Sequence, residues 1–453
     1  MRWYLLEERK SYRILLIGLF VIYVFVDFLR RFVSGSQLPL LALDLNILFI
    51  YYSFFKYKKI NLVLEIPAIF RLIFLAYVFL IILQVGNLSL PDITTTIAGL
   101  RSYLLPAPFL FIGYYIYQYD PNFIRKLGGV VKVLGVMSIG FGILIFFIDK
   151  SVQSEVLFSL FTPLEHSVHS FGDNDQSLTS SFFASSTRFS IFIFISYIFV
   201  WSGLKSQMKS SYFFIFFFLL YLAGNFISGN RTMIFLFLFL NITLLTFMRW
   251  QNKLYILGFF AVMAGYVLIF DYEIYGNNTN SFLIRLDYMF DNISEYFKRL
   301  EMAFPITRIN IDSDIFFFGL GLGKYGAEAN LSPLIDMVSA DQVYKSFEYI
   351  DQYPVDDSGL VKVFLELGFL GSLFFYLFMG QIVYLSIRSA YLSYITNDYY
   401  AYAVGLFPIF WIIIFSKGHG FISDIFISSF FYFSIGILLA KVTSLKTRLK
   451  NCE

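Results

Sequence analysis

Long, unbroken runs of apolar residues are the feature of this sequence that most restricts its fold. Of the 453 residues, 58% are hydrophobic and only 14% are charged, whereas soluble domains carry roughly 25% charged residues. A membrane-spanning helix needs about 20 consecutive apolar residues, and a spanning strand needs about 10. The runs here have helical length and lack the short alternating segments of a barrel. The sequence therefore predicts an all-α integral membrane protein.

We count about twelve transmembrane helices by this length criterion. In chain order, the predicted spans lie near residues 14–33, 38–55, 66–85, 97–118, 127–148, 188–204, 211–228, 232–248, 254–271, 358–387, 400–416 and 421–441. The first run has no small-residue cleavage site, so it is expected to remain as a true span. The single cysteine, Cys452, excludes a disulfide within the chain.

Lysine and arginine predict the orientation, because cytoplasmic loops are enriched in them. If the N-terminus is inside, the inner connections are basic, as at 56–59, while the outer loop 86–96 has no lysine or arginine. The outer loop 149–187 has only Lys150. We therefore expect a multi-pass membrane protein with both termini in the cytoplasm and the loops 149–187 and 272–357 outside.

The predicted spans divide the chain into three parts. Residues 1–271 form a bundle of about nine spans, residues 272–357 form a large periplasmic loop domain, and residues 358–453 form the C-terminal spans and a cytoplasmic tail. Apolar residues recur at helical spacing from Phe282 to Phe304, with charged residues between them. This pattern predicts an amphipathic helix in the membrane surface, which covers the bundle or also contributes to a site.

Four arginines lie at the predicted outer ends of spans or in the outer loop, where positive charge is otherwise scarce. They are Arg101, Arg188, Arg231 and Arg285. An arginine inside a span costs about 2.5–3.5 kcal/mol on insertion scales, so pairing with an acid or reaching the surface explains any one of them. Their occurrence on one side favours an anionic ligand, because guanidinium matches the geometry of phosphate and stays charged.

Two further sets of charges have the spacing of neighbours on one helix face. Asp27 precedes Arg30 and Arg31 by three and four residues, and Lys362 precedes Glu366 by four. Because such residues meet on the helix surface, we expect each acid to pair within its own helix.

The glycine run at 319–323 joins an apolar stretch to a polar one. It lacks the Gly-Lys-Ser/Thr of a P-loop, and it lies on the predicted outer side, where there is no ATP. One interpretation is a tight turn in apolar backbone. The other is a nest of N–H groups, from Gly319, Gly321 and Gly323, close to a phosphate.

Three residues are candidates for a general base. Asp356 and Asp357 directly precede an apolar helix, where aspartate is typical of an N-cap but could also take a proton from a sugar hydroxyl. His419 lies in a short Gly-His-Gly outer turn. His166 and His169 are spaced too loosely to predict a metal site, so no metal or cofactor is expected.

The order of these elements resembles the O-antigen polymerase and O-antigen ligase superfamily. The matching elements are Arg231 with the following Thr, Arg285 with the following Leu, the glycine run, and the segment Gly359-Leu…Glu366-Leu-Gly-Phe-Leu-Gly. They cover roughly residues 225–380, and the earlier spans agree only in number and orientation. Members of this superfamily have about a dozen spans and a large outer loop late in the chain.

The resemblance implies a metal-independent glycosyl transfer at the outer face of the bacterial inner membrane, with a glycan on undecaprenyl pyrophosphate as the donor. Arg231 and Arg285 match the family arginines that grip the pyrophosphate. Ligases of the superfamily carry a His-Asn pair where this chain has Asp356-Asp357, so the polymerase branch is favoured. The implied partners are lipid-linked oligosaccharides, the bilayer and a chain-length regulator, and no nucleic acid.

Three other functions remain open at this point. A ligase would move finished chains to an acceptor lipid. A flippase or other transporter of lipid-linked sugar usually places charges at the midplane of broken helices and often has internal repeats, whereas these charges cluster at the outer face and no repeat is visible. The third is a purely structural membrane subunit.

Overall fold

The computed structural model describes residues 2–32, 38–57, 66–87, 93–148, 181–183, 185–206, 211–228, 230–244, 314–319, 321–323, 359–417 and 424–450. Within these ranges the regular structure is entirely helical, and no strand occurs. This confirms the all-α class predicted from the apolar runs.

The described ranges contain thirteen α-helices. In chain order they are α1 (Arg2–Phe32), α2 (Leu38–Tyr57), α3 (Ala68–Leu83), α4 (Ile93–Leu104), α5 (Phe109–Tyr119), α6 (Pro121–Ile148), α7 (Ser186–Ser206), α8 (Ser211–Ser228), α9 (Arg231–Leu244), α10 (Asp314–Phe318), α11 (Gly359–Ile395), α12 (Tyr399–Lys417) and α13 (Ile425–Lys450). A short 3-10 helix, Gln84–Gly86, directly follows α3.

Eight helical segments of the described ranges are long and apolar enough to cross a membrane, and three shorter apolar helices accompany them. Each predicted span except 254–271 overlaps one of these helices. That span lies outside the described residues, as does most of the predicted periplasmic loop 272–357. The chain is therefore a helical membrane protein, while the number of twelve spans, the loop, the orientation and the three-part division stay predictions.

Helix α3 illustrates why these segments belong in lipid. Its buried side chains repeat at helical spacing, and they are Phe70, Phe74, Tyr77 and Ile81. Its opposite face exposes large apolar side chains, among them Ile69, Leu72, Leu75 and Phe79. An apolar surface of this kind is an aggregation liability in water, but it matches the hydrocarbon of a bilayer.

The chain divides into two compact units. The first comprises Met1–Lys59 and Pro121–Asp291, and the second comprises Ile60–Asp120 and Asn292–Glu453. Both units are therefore built from segments that are distant in sequence.

In the first unit, helices α6, α7 and α8 meet through buried polar groups. The hydroxyl of Ser196 donates to the carbonyl of Val131 at 3.0 Å and lies 2.6 Å from the hydroxyl of Tyr221. Gly135 makes room for this contact, because a Cβ atom there would overlap Ser196. The hydrogen bonds satisfy groups that would otherwise be costly to bury in a membrane.

In the second unit, α13 is the central helix. Every residue from 425 to 442 of its apolar part is buried. It crosses α5 at two glycines, since a Cβ atom on Gly113 would overlap the carbonyl of Phe433 and one on Gly436 would overlap the carbonyl of Leu110. This direct contact between backbones is typical of small residues at membrane helix interfaces.

Two helical segments of the second unit are interrupted. The predicted span 97–118 consists of two helices, because Pro106 and Pro108 lack the N–H that a continuous helix needs. Short turns replace it, with the N–H of Ala107 donating to the carbonyl of Leu104. Helix α11 extends beyond the predicted span 358–387 and bends at Gly368, where φ is 67° and ψ is −171°.

Candidate functional site

A buried glycine turn follows α10 in the second unit. We define the glycine turn by its described residues, Gly319, Gly321, Leu322 and Gly323, all of which are buried. The φ angles of its three glycines are 72°, 97° and 71°. Only glycine adopts such angles at little cost, so the glycine spacing correctly predicts a tight turn here.

The glycine turn packs directly on the bend of α11. The N–H of Gly321 donates to the carbonyl of Glu366 at 3.1 Å. A Cβ atom on Gly319 would lie 2.5 Å from the nitrogen of Gly368 and 2.6 Å from the carbonyl oxygen of Glu366. The two irregular segments therefore share a backbone hydrogen bond, as buried backbone groups need. Because the Gly321 N–H donates to Glu366, it does not point to a phosphate here, and the nest suggested for Gly319, Gly321 and Gly323 stays a prediction.

Two amide side chains that follow the end of α3 donate hydrogen bonds to the backbone at the start of the glycine turn and at the bend of α11. Gln84 Nε2 donates to the carbonyl of Phe318 at 2.7 Å and to that of Leu367 at 3.4 Å. Asn87 Nδ2 donates to Phe318 O at 3.2 Å, to Gly319 O at 3.1 Å and to Gln84 Oε1 at 2.9 Å. Sequence reasoning missed both residues, because a polar side chain at a span end is usually solvated and gives no sign of a distant partner.

A buried ion pair lies one turn before the bend of α11. Lys362 Nζ is 2.9 Å from Glu366 Oε1, and both side chains are fully buried. The hydroxyl of Tyr103, on α4, donates to Glu366 Oε2 at 2.8 Å. The pairing predicted from the four-residue spacing is confirmed, whereas the contribution of Tyr103 was not predicted.

Helix α4 supports the glycine turn from another side. A Cβ atom on Gly99 would overlap the backbone of Leu322 and Gly323, and Tyr103 lies four residues later on the same helix face. Arg101 is half-buried, and its position is about 200° around the helix from Gly99, at about 100° per residue. Helix α4 therefore packs on the glycine turn, but Arg101 lies on a different face of α4 from Gly99 and Tyr103.

In the first unit, one buried carboxylate holds two arginines. Asp27 accepts from Arg30 at 3.2 Å, which confirms the pairing predicted within α1. It also accepts from Arg188 of α7 at 3.3 Å and 3.5 Å. The Arg188 side chain remains 25% exposed. Arg188 therefore pairs with an acid, as one of its two sequence interpretations allows, and still reaches the surface of the unit.

The starts of α7 and α9 are joined by a hydrogen bond. Asn230 caps α9, because its Oδ1 accepts from the N–H of Met233 at 3.2 Å. Its Nδ2 donates to Thr187 Oγ1 at 3.4 Å. Arg231 begins α9 and Arg188 follows Thr187, so the structure brings the backbone positions of these two candidate arginines together.

The remaining candidate residues lie outside the described part of the chain. These are Arg285, Asp356, Asp357 and His419, together with the side chain of Arg231, and their roles stay predictions. Within the described residues, no group of three or more His, Cys, Asp or Glu side chains is placed to hold a metal ion. Comparison of the chain with protein-family models, curated proteins and solved structures gives no match.

Proposed function

We propose that this chain is a polysaccharide polymerase, a glycosyltransferase that joins oligosaccharide repeat units carried on undecaprenyl pyrophosphate. The observation that carries the proposal is the hydrogen bond between Gly321 and Glu366. The glycine run and the Glu366-Leu-Gly helix are two of the segments that resemble the O-antigen polymerase and ligase superfamily. Their direct contact supports the view that these separate segments act as one element of a site.

The proposed reaction takes place at the outer face of the bacterial inner membrane, with both termini cytoplasmic. The acceptor hydroxyl of one lipid-linked repeat attacks the anomeric carbon of the sugar attached to the donor pyrophosphate. A glycosidic C–O bond forms, the bond between that carbon and the pyrophosphate oxygen breaks, and undecaprenyl pyrophosphate leaves. Attack opposite the leaving group inverts the anomeric configuration. No metal or cofactor takes part.

The candidate residues have separate roles in this reaction. Asp357, Asp356 or His419 takes the proton of the acceptor hydroxyl. Arg231 and Arg285 stabilise the charge that grows on the leaving pyrophosphate, and Arg188 or Arg101 assists them. By analogy with an oxyanion-hole donor, loss of one such contact costs roughly 2.7–4 kcal/mol of barrier.

Arg188 is a weaker candidate for this role than Arg231 and Arg285. Its guanidinium is paired with Asp27, and that pairing explains its position without a ligand. A quarter of its side chain is nevertheless exposed, so we keep it as an assisting residue in the proposal. The substrates reach the enzyme within the bilayer, and a chain-length regulator is a proposed protein partner.

Two other functions remain as candidates. A transporter of lipid-linked sugar is favoured by the interruption of the fourth span at Pro106 and Pro108 and by the bend at Gly368, because transporters bind substrate at discontinuous helices. The other candidate is the ligase that transfers a finished chain to an acceptor lipid, which the same resemblance includes.

Deletion of the gene in its native host distinguishes the three functions. Loss of a polymerase leaves single repeats on undecaprenyl pyrophosphate in the outer leaflet. Loss of a ligase leaves long chains on the same lipid, and loss of a flippase confines single repeats to the inner leaflet. Mass spectrometry of the lipid-linked glycans, with a membrane-impermeant lectin to report the leaflet, measures all three outcomes.

Complementation of the deletion strain tests the arginines. We expect Arg231→Ala and Arg285→Ala to abolish the ladder of long chains on a gel. Arg388→Ala is the matched control, since Arg388 lies at a predicted inner end and contacts Tyr384 of its own helix. A normal ladder from stably expressed Arg231→Ala would exclude the role proposed for that residue.

A further inference from the structure

We infer that Glu366 is a positioning residue, which fixes the glycine turn through the ion pair with Lys362 and the hydrogen bond from Tyr103. Its effect on catalysis rests on the proposed function. Its effect on the conformation of the turn rests only on the contacts of the second unit.

Glu366 connects three elements through different atoms. Oε1 pairs with Lys362 at 2.9 Å, within α11. Oε2 accepts from Tyr103 of α4 at 2.8 Å. The main-chain carbonyl accepts from Gly321 of the glycine turn at 3.1 Å. A displacement of this one residue therefore changes the contact between α11 and the turn.

Burial makes the position of the Glu366 side chain unusually well defined. Neither Glu366 nor Lys362 is exposed, and a charge in such a place needs close partners. The carboxylate cannot adopt another rotamer without losing the ammonium group or the hydroxyl. The carbonyl that binds Gly321 belongs to the same residue and lies two positions before the bend at Gly368.

Stability alone does not account for a charged pair at this place. Replacement of a buried ion pair by apolar residues of similar volume is often neutral or stabilising. The directional bonds of Glu366 instead select one arrangement of α4, α11 and the turn. Gln84, Asn87 and Gly99 contact the turn or its flanking residues from other directions, so loss of the Glu366 bonds should loosen the turn without unfolding the unit.

A spin label next to the turn measures this directly. The label is attached to Phe318→Cys in a Cys452→Ser background, because Phe318 is 57% exposed and its backbone carbonyl binds Gln84 and Asn87. The variants are Glu366→Gln and the double change Lys362→Met with Glu366→Gln. The double variant removes both charges, so it tests position without leaving an unpaired buried lysine.

A second ion pair of the second unit, with a buried lysine and a half-buried aspartate, supplies the control. Lys441 Nζ lies 2.9 Å from Asp398 Oδ2 and joins α13 to the start of α12. The double change Lys441→Met with Asp398→Asn removes an ion pair with the same 2.9 Å distance that lies on other helices than the turn. We expect the label in this control to have the spectrum of the parent protein.

Both Glu366 variants should give a more mobile label.

With lipid-linked repeats as substrate, kcat should fall about 100-fold, the loss that follows from a misplacement of about 1 Å. KM should change little, because the lost interaction acts in the transition state. A purely stabilising role predicts that the double variant has the parent spectrum and the parent kcat, and that result overturns the inference. A mobile label with unchanged kcat overturns its catalytic part. If the parent protein makes no polymer, the proposed function fails, and the label spectra still decide the role of Glu366 in the turn.

Discussion

Gly368→Ala should be one of the most damaging small substitutions in the described part of the chain. The residue has φ 67° and ψ −171°, a region that is essentially restricted to glycine. An added Cβ atom would lie 2.5 Å from the nitrogen of Gly319 and 2.6 Å from the carbonyl carbon of Phe317. Both obstacles are backbone atoms, so no side chain can rotate away to relieve the overlap.

Two costs contribute to the expected effect. A non-glycine residue held in a sparsely populated backbone region costs about 1–3 kcal/mol, and overpacking a well-packed interior costs about 1–3 kcal/mol more. Their sum, about 2–6 kcal/mol, is a large part of the 5–15 kcal/mol by which domains are typically stable. The bend of α11 and the glycine turn should separate or distort together, because the backbone of Phe317 and Gly319 occupies the space that the new methyl group needs.

Gly380→Ala is the matched control. Gly380 lies on the same helix, and a Cβ atom there meets no atom within 4 Å. Alanine is favoured over glycine in a helix by about 1 kcal/mol, so this variant should be as stable as the parent or more so. Thermal unfolding in nanodiscs, followed by tryptophan fluorescence, compares the two variants. Equal unfolding temperatures for Gly368→Ala and Gly380→Ala would refute the description of the bend.

Three further predictions concern stability, the first two measured by the same thermal unfolding and the third by the yield of folded protein. Lys362→Met leaves the Glu366 carboxylate buried without its cation, so stability should fall by about 3–5 kcal/mol. The added change Glu366→Gln should restore most of that loss. Equal unfolding temperatures for the single and double variants would contradict the ion pair described here. Asp27→Asn should cost about 1–3 kcal/mol, because two guanidinium groups lose charge-assisted bonds to a shared carboxylate, and parent stability would argue against that cluster. Gly113→Val should prevent the close approach of α5 to α13 and lower the yield of folded protein. Gly140→Val is the control, because a Cβ atom there meets open space, and it should leave the yield unchanged. Similar yields from the two variants would exclude the backbone contact between α5 and α13.

Local features of the sequence predicted local features of the structure well. The apolar runs predicted the helices because burial in lipid requires about the same length in any protein. The pair Lys362–Glu366 and the pair Asp27–Arg30 were predicted because helical geometry alone brings such residues together. The glycine spacing at 319–323 predicted a turn because glycine adopts a positive φ at little cost.

Contacts between distant segments could not be predicted in this way. Arg188 reaches Asp27 across 161 positions, and Tyr103 reaches Glu366 across 263. No pattern in a single sequence identifies such partners. Gly368 was equally hidden, because a glycine in an apolar helical run gives no sign of a positive φ until the opposing backbone of the glycine turn is known.

The break in the fourth span has a different explanation. Hydropathy averages over the Leu-Pro-Ala-Pro segment at 105–108, and the flanking residues are apolar enough to predict one continuous span. Pro106 and Pro108 nevertheless interrupt the helix, because each removes a hydrogen-bond donor. Attention to proline within a predicted span was the available signal.

The most direct test of the proposed polymerase is to incubate the purified protein in nanodiscs with repeats linked to undecaprenyl pyrophosphate, without nucleotide and with a chelator present. The measurement is the amount of free undecaprenyl pyrophosphate relative to new glycosidic bonds. We predict longer glycans with one molecule of undecaprenyl pyrophosphate released for each bond formed, and loss of both products in Arg231→Ala but not in Arg388→Ala. Folded protein that releases no undecaprenyl pyrophosphate and leaves every repeat at its original length would contradict the proposal.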